Sequence, residues 1–566
     1  MTDGWRGRVL GWGLGAGLLG FAFQAARLAW HKAFSIDEFQ YAHAAWLVSR
    51  GQVPYRDFFE VHFPFVYQAL APLFWLFGDA PDTVLFLRVA MLVPLAGACV
   101  AVARLNRREG RLASWLAPLL LLALTPFTRF ATEIRPDALA TASFLGALAA
   151  SSARPSTKAR GFVSGLLFVG AVWASQKVLF FGGLVGLALG GDLVVRRGRA
   201  PALVERPVAF LAGVGAGLAS VAAYLTVTAS WRAWWQWCFT WAAAHQQGYP
   251  GFSSWEYLGP VVGEQSWLLA LGALGFAMSL RAWWRSGAAR WRDTDLLLLL
   301  AVPATFGSFA LQRAPFPYSL LPFLGVLAPF MARGAAVLLA APRAPWARVA
   351  CALALVALLG AQVWAQERLL EGGGNGRQRE VFARIATLTE PEDVVYDNSG
   401  GYVSRPHAHF YFYTDAYLRG TITDVLSHEV PQALIASGCV LRVDDLRTSG
   451  LPPALKRFLA TYYQPLDGDL HVWGQRYDVP ASGVLEERFL AVREARYFVE
   501  PAEALAQGAL SIDGVRVTGA EVSLSRGVHA VRYEGRAPRF HLLWLPRDGQ
   551  RWTPRPTARP SFSRLF

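Results

Sequence analysis

The sequence predicts a polytopic α-helical membrane protein of about eleven transmembrane helices, with a C-terminal extracytoplasmic α/β domain and a small β-sandwich. Three observations carry this. Long apolar runs fill residues 9–366 and stop there. Every second loop between those runs is rich in arginine. From residue 367 onward the chain reads like a soluble protein.

A span needs about 20 apolar residues, and the runs 9–30, 84–103, 112–128, 138–153, 161–177, 178–195, 208–228, 267–284, 295–311, 318–340 and 347–366 qualify in turn. Arg104, Arg107, Arg108 and Arg111 follow the second run, and Arg154, Lys158 and Arg160 the fourth. Arg196, Arg197 and Arg199 follow the sixth, Arg281, Arg285, Arg290 and Arg292 the eighth, and Arg343 and Arg348 the tenth. Basic loops stay in the cytoplasm. The N-terminus is therefore expected inside, and the loops 31–83 and 229–266 and everything past 366 outside.

Three segments follow: a membrane domain over 1–370, an extracytoplasmic α/β domain over 371–480 and a β-rich domain over 481–566. The glycine-rich stretch 371–379 reads as a flexible linker. Beyond it, 380–389 reads as a helix, and 394–396, 439–443 and 470–473 as strands. Past 481, the alternating stretches 512–517, 522–524 and 529–533 between glycine turns suggest the small antiparallel sandwich.

Composition agrees with this class. The chain has 566 residues, 54% hydrophobic and only 17% charged, against roughly 25% charged in ordinary soluble domains. The net charge of +14 sits in short loops without a nucleic-acid-binding motif, so nucleic acid is not an expected partner. Four cysteines make no disulfide framework, although Cys238 and Cys439 both fall in segments expected outside. No His, Cys and carboxylate cluster has metal-ligand spacing, His407 and His409 read as polar surface, and no glycine-rich nucleotide loop appears. Neither a metal nor another cofactor is expected.

The candidate chemistry lies in the outside loops. Ser35-Ile36-Asp37-Glu38 opens a helix over 36–49, with Phe39, Ala42 and Trp46 on one face and Asp37, Tyr41 and Ala44 on another. Such a helix suits the membrane surface. The same residues also form a capping box, and Asp37 suits the helix dipole. The loop continues through Gly51-Gln52-Val53-Pro54-Tyr55-Arg56 to Glu60-Val61-His62-Phe63-Pro64. A second motif, Thr132-Glu133-Ile134-Arg135-Pro136-Asp137, opens the fourth span on the same side, and there too Pro136 and Asp137 suit a helix start. Lys177 and Arg313 fall at span ends near that side. Ionisable groups at membrane depth are functional candidates, while snorkelling is the plainer account of a lysine.

Taken in order, the first span, Asp37-Glu38, Gly51-Gln52-Val53-Pro54-Tyr55, the Pro64–Phe77 segment, Arg135-Pro136-Asp137 and Gln176-Lys177 resemble the glycosyltransferase-C superfamily. The similarity is to the polyprenyl-phosphate-sugar transferases, such as protein O-mannosyltransferases and lipid A aminoarabinose transferases. Gln312-Arg313-Ala314-Pro315-Phe316-Pro317-Tyr318 with Leu320-Leu321-Pro322 resembles a late tyrosine-proline region of the bacterial members. The stretch 60–64 departs from the mannosyltransferase pattern at Phe63, where that pattern has proline. The resemblance spans roughly residues 9–475 and leaves 481–566 unexplained.

The resemblance implies an inverting glycosyltransferase in the cell inner membrane. It would take a polyprenyl-phosphate sugar donor from among the membrane lipids and a glycan, lipid or protein acceptor outside. Asp37 would be the general base, with Glu38 and Asp137 beside it in the catalytic set. Arg135, Lys177, Arg313, Arg56 and His62 would hold the donor phosphate, and Tyr41, Tyr55 and Glu60 the acceptor. At least two of Arg135, Lys177 and Arg313 are expected to converge on a cavity that Asp37 also lines. Two other readings fit the spans: a lipid or glycan transporter or flippase, and a receptor whose external domain binds glycan.

Overall fold

A computed structural model describes residues 2–152, 157–183, 201–245, 253–285, 295–313, 315–342, 344–555 and 562. The chain divides into two compact units. The first comprises Met1–Ala33, Glu60–Leu70 and Leu85–Gly374, and the second Phe34–Phe59, Ala71–Val84 and Asn375–Phe566.

The first unit is helical. Among the described residues, five helices are long and apolar enough to cross a membrane: Thr83–Leu105, Pro207–Val227, Ser266–Arg285, Pro317–Ala340 and Pro345–Glu367. A sixth is obtained if Arg111–Ala123 and Thr125–Ala131, bent by 74°, form one span. The break falls at Leu124, whose extended backbone interrupts the helix just ahead of Thr125-Pro126. The expected count of about eleven is therefore not established by length and hydropathy. The runs 138–153 and 161–177 give helices of 17 residues each, Pro136–Ser152 and Lys158–Ala174. The run 178–195 lies mostly outside the described residues.

Glycines set the helix packing. A Cβ on Gly275 would stand 1.9 Å from the Phe330 carbonyl oxygen, and one on Gly334 would stand 2.3 Å from that of Leu271. The helices Ser266–Arg285 and Leu321–Ala340 thus meet backbone to backbone. Gly165 and Gly213 bring Lys158–Ala174 and Pro201–Val227 together in the same way, with a Cβ on Gly213 only 2.0 Å from the Phe162 oxygen. Small residues at crossings are how helices pack closely when lipid supplies no hydrophobic drive. At the end of the first helix, Thr2–His31, the buried Arg88 guanidinium donates to the Lys32 and Ala33 carbonyls. These carbonyls belong to the cap residue and the residue after it, just past the helix end.

The second unit is built on two sheets. Its strands are β1 (Val395–Tyr396), β2 (Leu441–Val443), β3 (Tyr463–Asp467), β4 (Leu470–Asp478), β5 (Val484–Ala491), β6 (Ala495–Glu500), β7 (Gly508–Ile512), β8 (Val515–Arg516), β9 (Glu521–Leu524), β10 (Gly527–Gly535) and β11 (Arg539–Trp544). The seven-stranded sheet runs β1-β2-β4-β11-β6-β9, with β3 also paired to β4. Only β1 and β2 are parallel in it. The four-stranded sheet runs β5-β10-β7-β8. Strands from 481–566 thus complete a sheet begun in 371–480, and the rest form the second sheet. The stretch 512–517 is a hairpin rather than one strand. Asp513 and Gly514 both take positive φ, 53° and 78°, as the tight Asp-Gly turn requires.

Two further expectations change. The helix Ile36–Ser49 forms where expected, but Ile36 and the residues from Glu38 to Leu47 are buried. It is a buried helix of the second unit, not an amphipathic one lying on a surface. The stretch 371–379 is not all linker, because the helix Gly376–Leu388 begins inside it. Gln378 exchanges hydrogen bonds with the backbone of Phe34, and Arg379 pairs with Asp82 at 2.6 Å. All four cysteines are free thiols.

Candidate active site

In the first unit, a charged cluster lies among apolar helices. Glu133 is fully buried and takes hydrogen bonds from both Lys32 and Arg135. The Arg135 guanidinium, also fully buried, lies 4.2 Å from the centre of the Tyr318 ring. Lys177 Nζ lies 4.7 Å from the same ring. It donates to Asp137 Oδ1 and to Ser319 Oγ, each at 3.0 Å. Arg135 and Lys177, far apart in sequence, therefore share one tyrosine. Arg129 stacks on Phe130, and its buried Nε has no hydrogen-bond partner among the described residues.

Local sequence explains each placement. Pro136 starts the helix that holds Asp137 in its first turn. Ser175 adopts an extended conformation after Ala174, so the chain breaks and Lys177 sits in the gap between helices. Pro317 opens a short 3₁₀ turn, Pro317–Leu320, which delivers Tyr318 and Ser319. Arg313, expected here, is instead exposed on the stretch before that turn. The segment contributes its tyrosine and serine to the cluster.

His62 and Glu60 belong to the same unit. Glu60 is fully buried, and its Oε1 meets the Val61 and His62 backbone N–H groups and His62 Nδ1, the last at 2.7 Å. Burial pushes the His62 pKa down, but the Glu60 carboxylate outweighs it, helped by Asp137 and opposed by Lys177, so the value is raised. His62 thus lies in the electrostatic field of Glu60, Asp137 and Lys177. Glu60 engages its own loop through Oε1, and its buried Oε2 has no hydrogen-bond partner among the described residues.

The second unit holds Asp37. Its Oδ1 accepts from Arg447 Nη2 at 3.0 Å, and both side chains are largely buried. Glu38 is turned back on its own helix and accepts from the Ser35 N–H at 2.9 Å. The capping box is therefore real, and Glu38 is a cap rather than a reacting group. Asp37, on the same first turn, has a long-range partner that capping does not explain. Arg56 is exposed and paired with its neighbour Asp57 at 2.8 Å, a surface pair. Tyr41 and Tyr55 are both buried, which leaves little ring surface for an acceptor. Tyr55 also carries φ of 73°, rare for a bulky residue.

Around Asp37, the residues past β1 and β2 are dense in polar groups. Asp397 accepts from the N–H groups of Ser399, Gly400 and Gly401. Burial, then the charge of Asp445, pushes its pKa up to about 7. His407, read from sequence as polar surface, meets His43 Nε2 through Nδ1 at 3.2 Å, and burial drives its pKa down to about 4. A groove of about 420 Å³ lies at the β8–β9 edges, lined by Asp513, Arg516, Glu521 and His529 among others, and Asp37 does not line it. Among the described residues, no group of three or more His, Cys, Asp or Glu side chains is arranged to hold a metal ion.

Sequence reasoning missed Lys32, Ser319 and Arg447, and it named Tyr318 only within the tyrosine-proline region, without a role. Lys32 had a signal, a charge at the end of an apolar run. Arg447 had none, being 410 residues from Asp37.

The fold is similar to that of ArnT from Cupriavidus metallidurans. The chain matches the apo crystal structure of that protein with a TM-score of 0.54 at 16% identity, covering 83% of this chain and 98% of the other. It matches the structure bound to undecaprenyl phosphate with a TM-score of 0.51 at 15% identity and the same coverage. The oligosaccharyltransferase of Archaeoglobus fulgidus in its apo form gives 0.47 at 11% identity, over 80% of this chain and 73% of that one. No protein-family model and no curated protein matches the sequence.

Proposed function

We propose that the protein is an integral membrane glycosyltransferase that moves a sugar from a polyprenyl-phosphate donor to a hydroxyl acceptor outside the cytoplasm. One observation carries this reading: Arg135 and Lys177 converge on Tyr318 in an apolar helical unit. Buried cations in such surroundings are costly and call for an anionic ligand or a structural partner. Glu133 and Asp137 partner them in part, but Lys32, Arg129, Arg135 and Lys177 outnumber these carboxylates. An excess of positive charge suits a phosphate on a lipid. ArnT, whose fold this is, has been crystallised bound to undecaprenyl phosphate.

In this reading Arg135 and Lys177 bind the phosphate and stabilise the charge that grows as it leaves. Asp37 takes the proton of the acceptor hydroxyl. The acceptor oxygen bonds to the anomeric carbon as that carbon's bond to the phosphate oxygen breaks. Attack from the face opposite the phosphate inverts the centre and releases polyprenyl phosphate. The protein would lie in the inner membrane with about eleven spans, its N-terminus in the cytoplasm and its sheet-bearing C-terminal part outside.

The test is turnover by the full chain in nanodiscs, given a panel of radiolabelled undecaprenyl-phosphate pentoses and hexoses with a membrane glycolipid extract as acceptor. Label leaving the donor with release of undecaprenyl phosphate supports the reading. Donor carried across vesicle membranes without bond cleavage would establish a transporter instead.

A further inference from the structure

We infer that Arg447 is a positioning residue that holds the Asp37 carboxylate in its reactive orientation, so that the turn after β2 completes the active site. This rests on the reading of Asp37 as the base. Arg447 Nη2 donates to Asp37 Oδ1 at 3.0 Å, and Nη1 donates to the Asn398 carbonyl at 3.2 Å. The guanidinium therefore links the carboxylate to the loop after β1. Its planar fork fixes direction as well as charge.

The arginine is itself held firmly. It lies on the 3₁₀ turn Leu446–Gly450, capped by Asp445, whose Oδ1 accepts from the Arg447 N–H at 2.9 Å and the Thr448 N–H at 3.0 Å. Asp445 Oδ2 accepts from the Asn398 N–H and Ser399 Oγ, tying this turn to the β1 loop. Arg419 donates to the Arg447 carbonyl at 3.0 Å. The Tyr413 ring lies 5.9 Å from the guanidinium carbon. Three carboxylates act on the guanidinium: Asp37, Asp415 and Asp445. Asp445 is occupied with backbone and hydroxyl donors, and Asp415 accepts from the Leu418 N–H at 2.6 Å. Asp37 is the carboxylate in this group that Arg447 grips directly, with a rigid support behind it.

A purely structural ion pair would stabilise the unit without tuning turnover. Two measurements on the full chain in nanodiscs separate these roles. The first is a stability double-mutant cycle with Arg447→Ala and Asp37→Asn, read by thermal unfolding. Non-additive shifts are expected, and additive ones would overturn the pairing. The second is turnover of whichever undecaprenyl-phosphate sugar of the panel the unaltered protein uses. Arg447→Ala is expected to lower kcat by roughly 10- to 100-fold with the donor KM nearly unchanged. Guanidinium ion at sub-denaturing concentration should restore part of the loss, and Arg447→Lys should fall between. Unchanged kcat, or a loss that neither guanidinium nor Arg447→Lys relieves, would overturn the positioning role. Full turnover by Asp37→Asn would instead remove the base assignment, and no turnover by the unaltered protein would remove the transferase reading, each taking this inference with it.

Discussion

Lys177→Met removes a side chain that makes two hydrogen bonds of 3.0 Å, to Asp137 and Ser319, and lies over Tyr318. If Lys177 holds the lipid phosphate, the variant loses a charge-assisted contact worth about 1.5–3 kcal/mol. At 1.4 kcal/mol per tenfold, affinity for undecaprenyl phosphate should fall roughly 10- to 150-fold. The same change strands Asp137, whose side chain is only 7% exposed. Breaking a buried pair from one side costs about 3–5 kcal/mol, so stability should fall as well. The double variant Lys177→Met/Asp137→Asn resolves the two effects. It leaves no unpaired charge, so most of the stability should return while the affinity stays low. Titration with undecaprenyl phosphate in nanodiscs, read by thermal shift and native mass spectrometry, measures both. Binding by the double variant within about twofold of the unaltered protein would refute the phosphate role for Lys177 and leave it as a partner for Asp137.

Three other outcomes are expected. Gly275→Leu should lower the thermal stability of the helical unit by at least about 1–3 kcal/mol, because even a Cβ there would press on the Phe330 carbonyl; a melt in detergent checks it. Asp397, with its pKa raised to about 7 in the folded protein against roughly 3.9 unfolded, contributes stability that is present below the unfolded value and lost as pH rises through the folded one. Asp397→Asn should therefore flatten the fall in melting temperature between about pH 5 and 8, even if it lowers stability at every pH by disturbing the Ser399, Gly400 and Gly401 N–H bonds. An engineered thiol at the exposed Ser482, in a background without the four native cysteines, should react with a membrane-impermeant reagent in intact cells whose outer envelope has been opened; labelling only after lysis would reverse the proposed topology.

Much of the fold was legible because apolar runs and alternating charge report directly on the solvent each segment meets. The helix at 36–49 and the core strand at Val395–Tyr396 emerged from periodicity and local capping alone. What escaped was set by tertiary structure. Residues 512–517 alternate like one strand, yet Asp513-Gly514 turns them into a hairpin. The face pattern of 36–49 suggested an amphipathic helix, but the unit packs around every side of it. At the candidate site, local motifs exposed the acidic residues and Arg135 and Lys177. They could not show that Glu38 closes a cap while Asp37 does not, since both sit in one first turn. Nor could they show Tyr318 as the meeting point of two cations, because its role depends on the turn set by Pro317.

The most direct test of the central claim is a comparison of the unaltered protein with Asp37→Asn in a single-turnover assay with the undecaprenyl-phosphate sugar it uses. Asparagine keeps the side chain's shape and much of its capping capacity, so folding and binding of undecaprenyl phosphate should persist. Transfer should fall by about 10²–10⁴-fold, the usual contribution of a general base, and the product of the unaltered protein should carry the inverted anomeric configuration. A folded, lipid-binding Asp37→Asn that transfers sugar at the normal rate, or a product that retains configuration, would contradict the account.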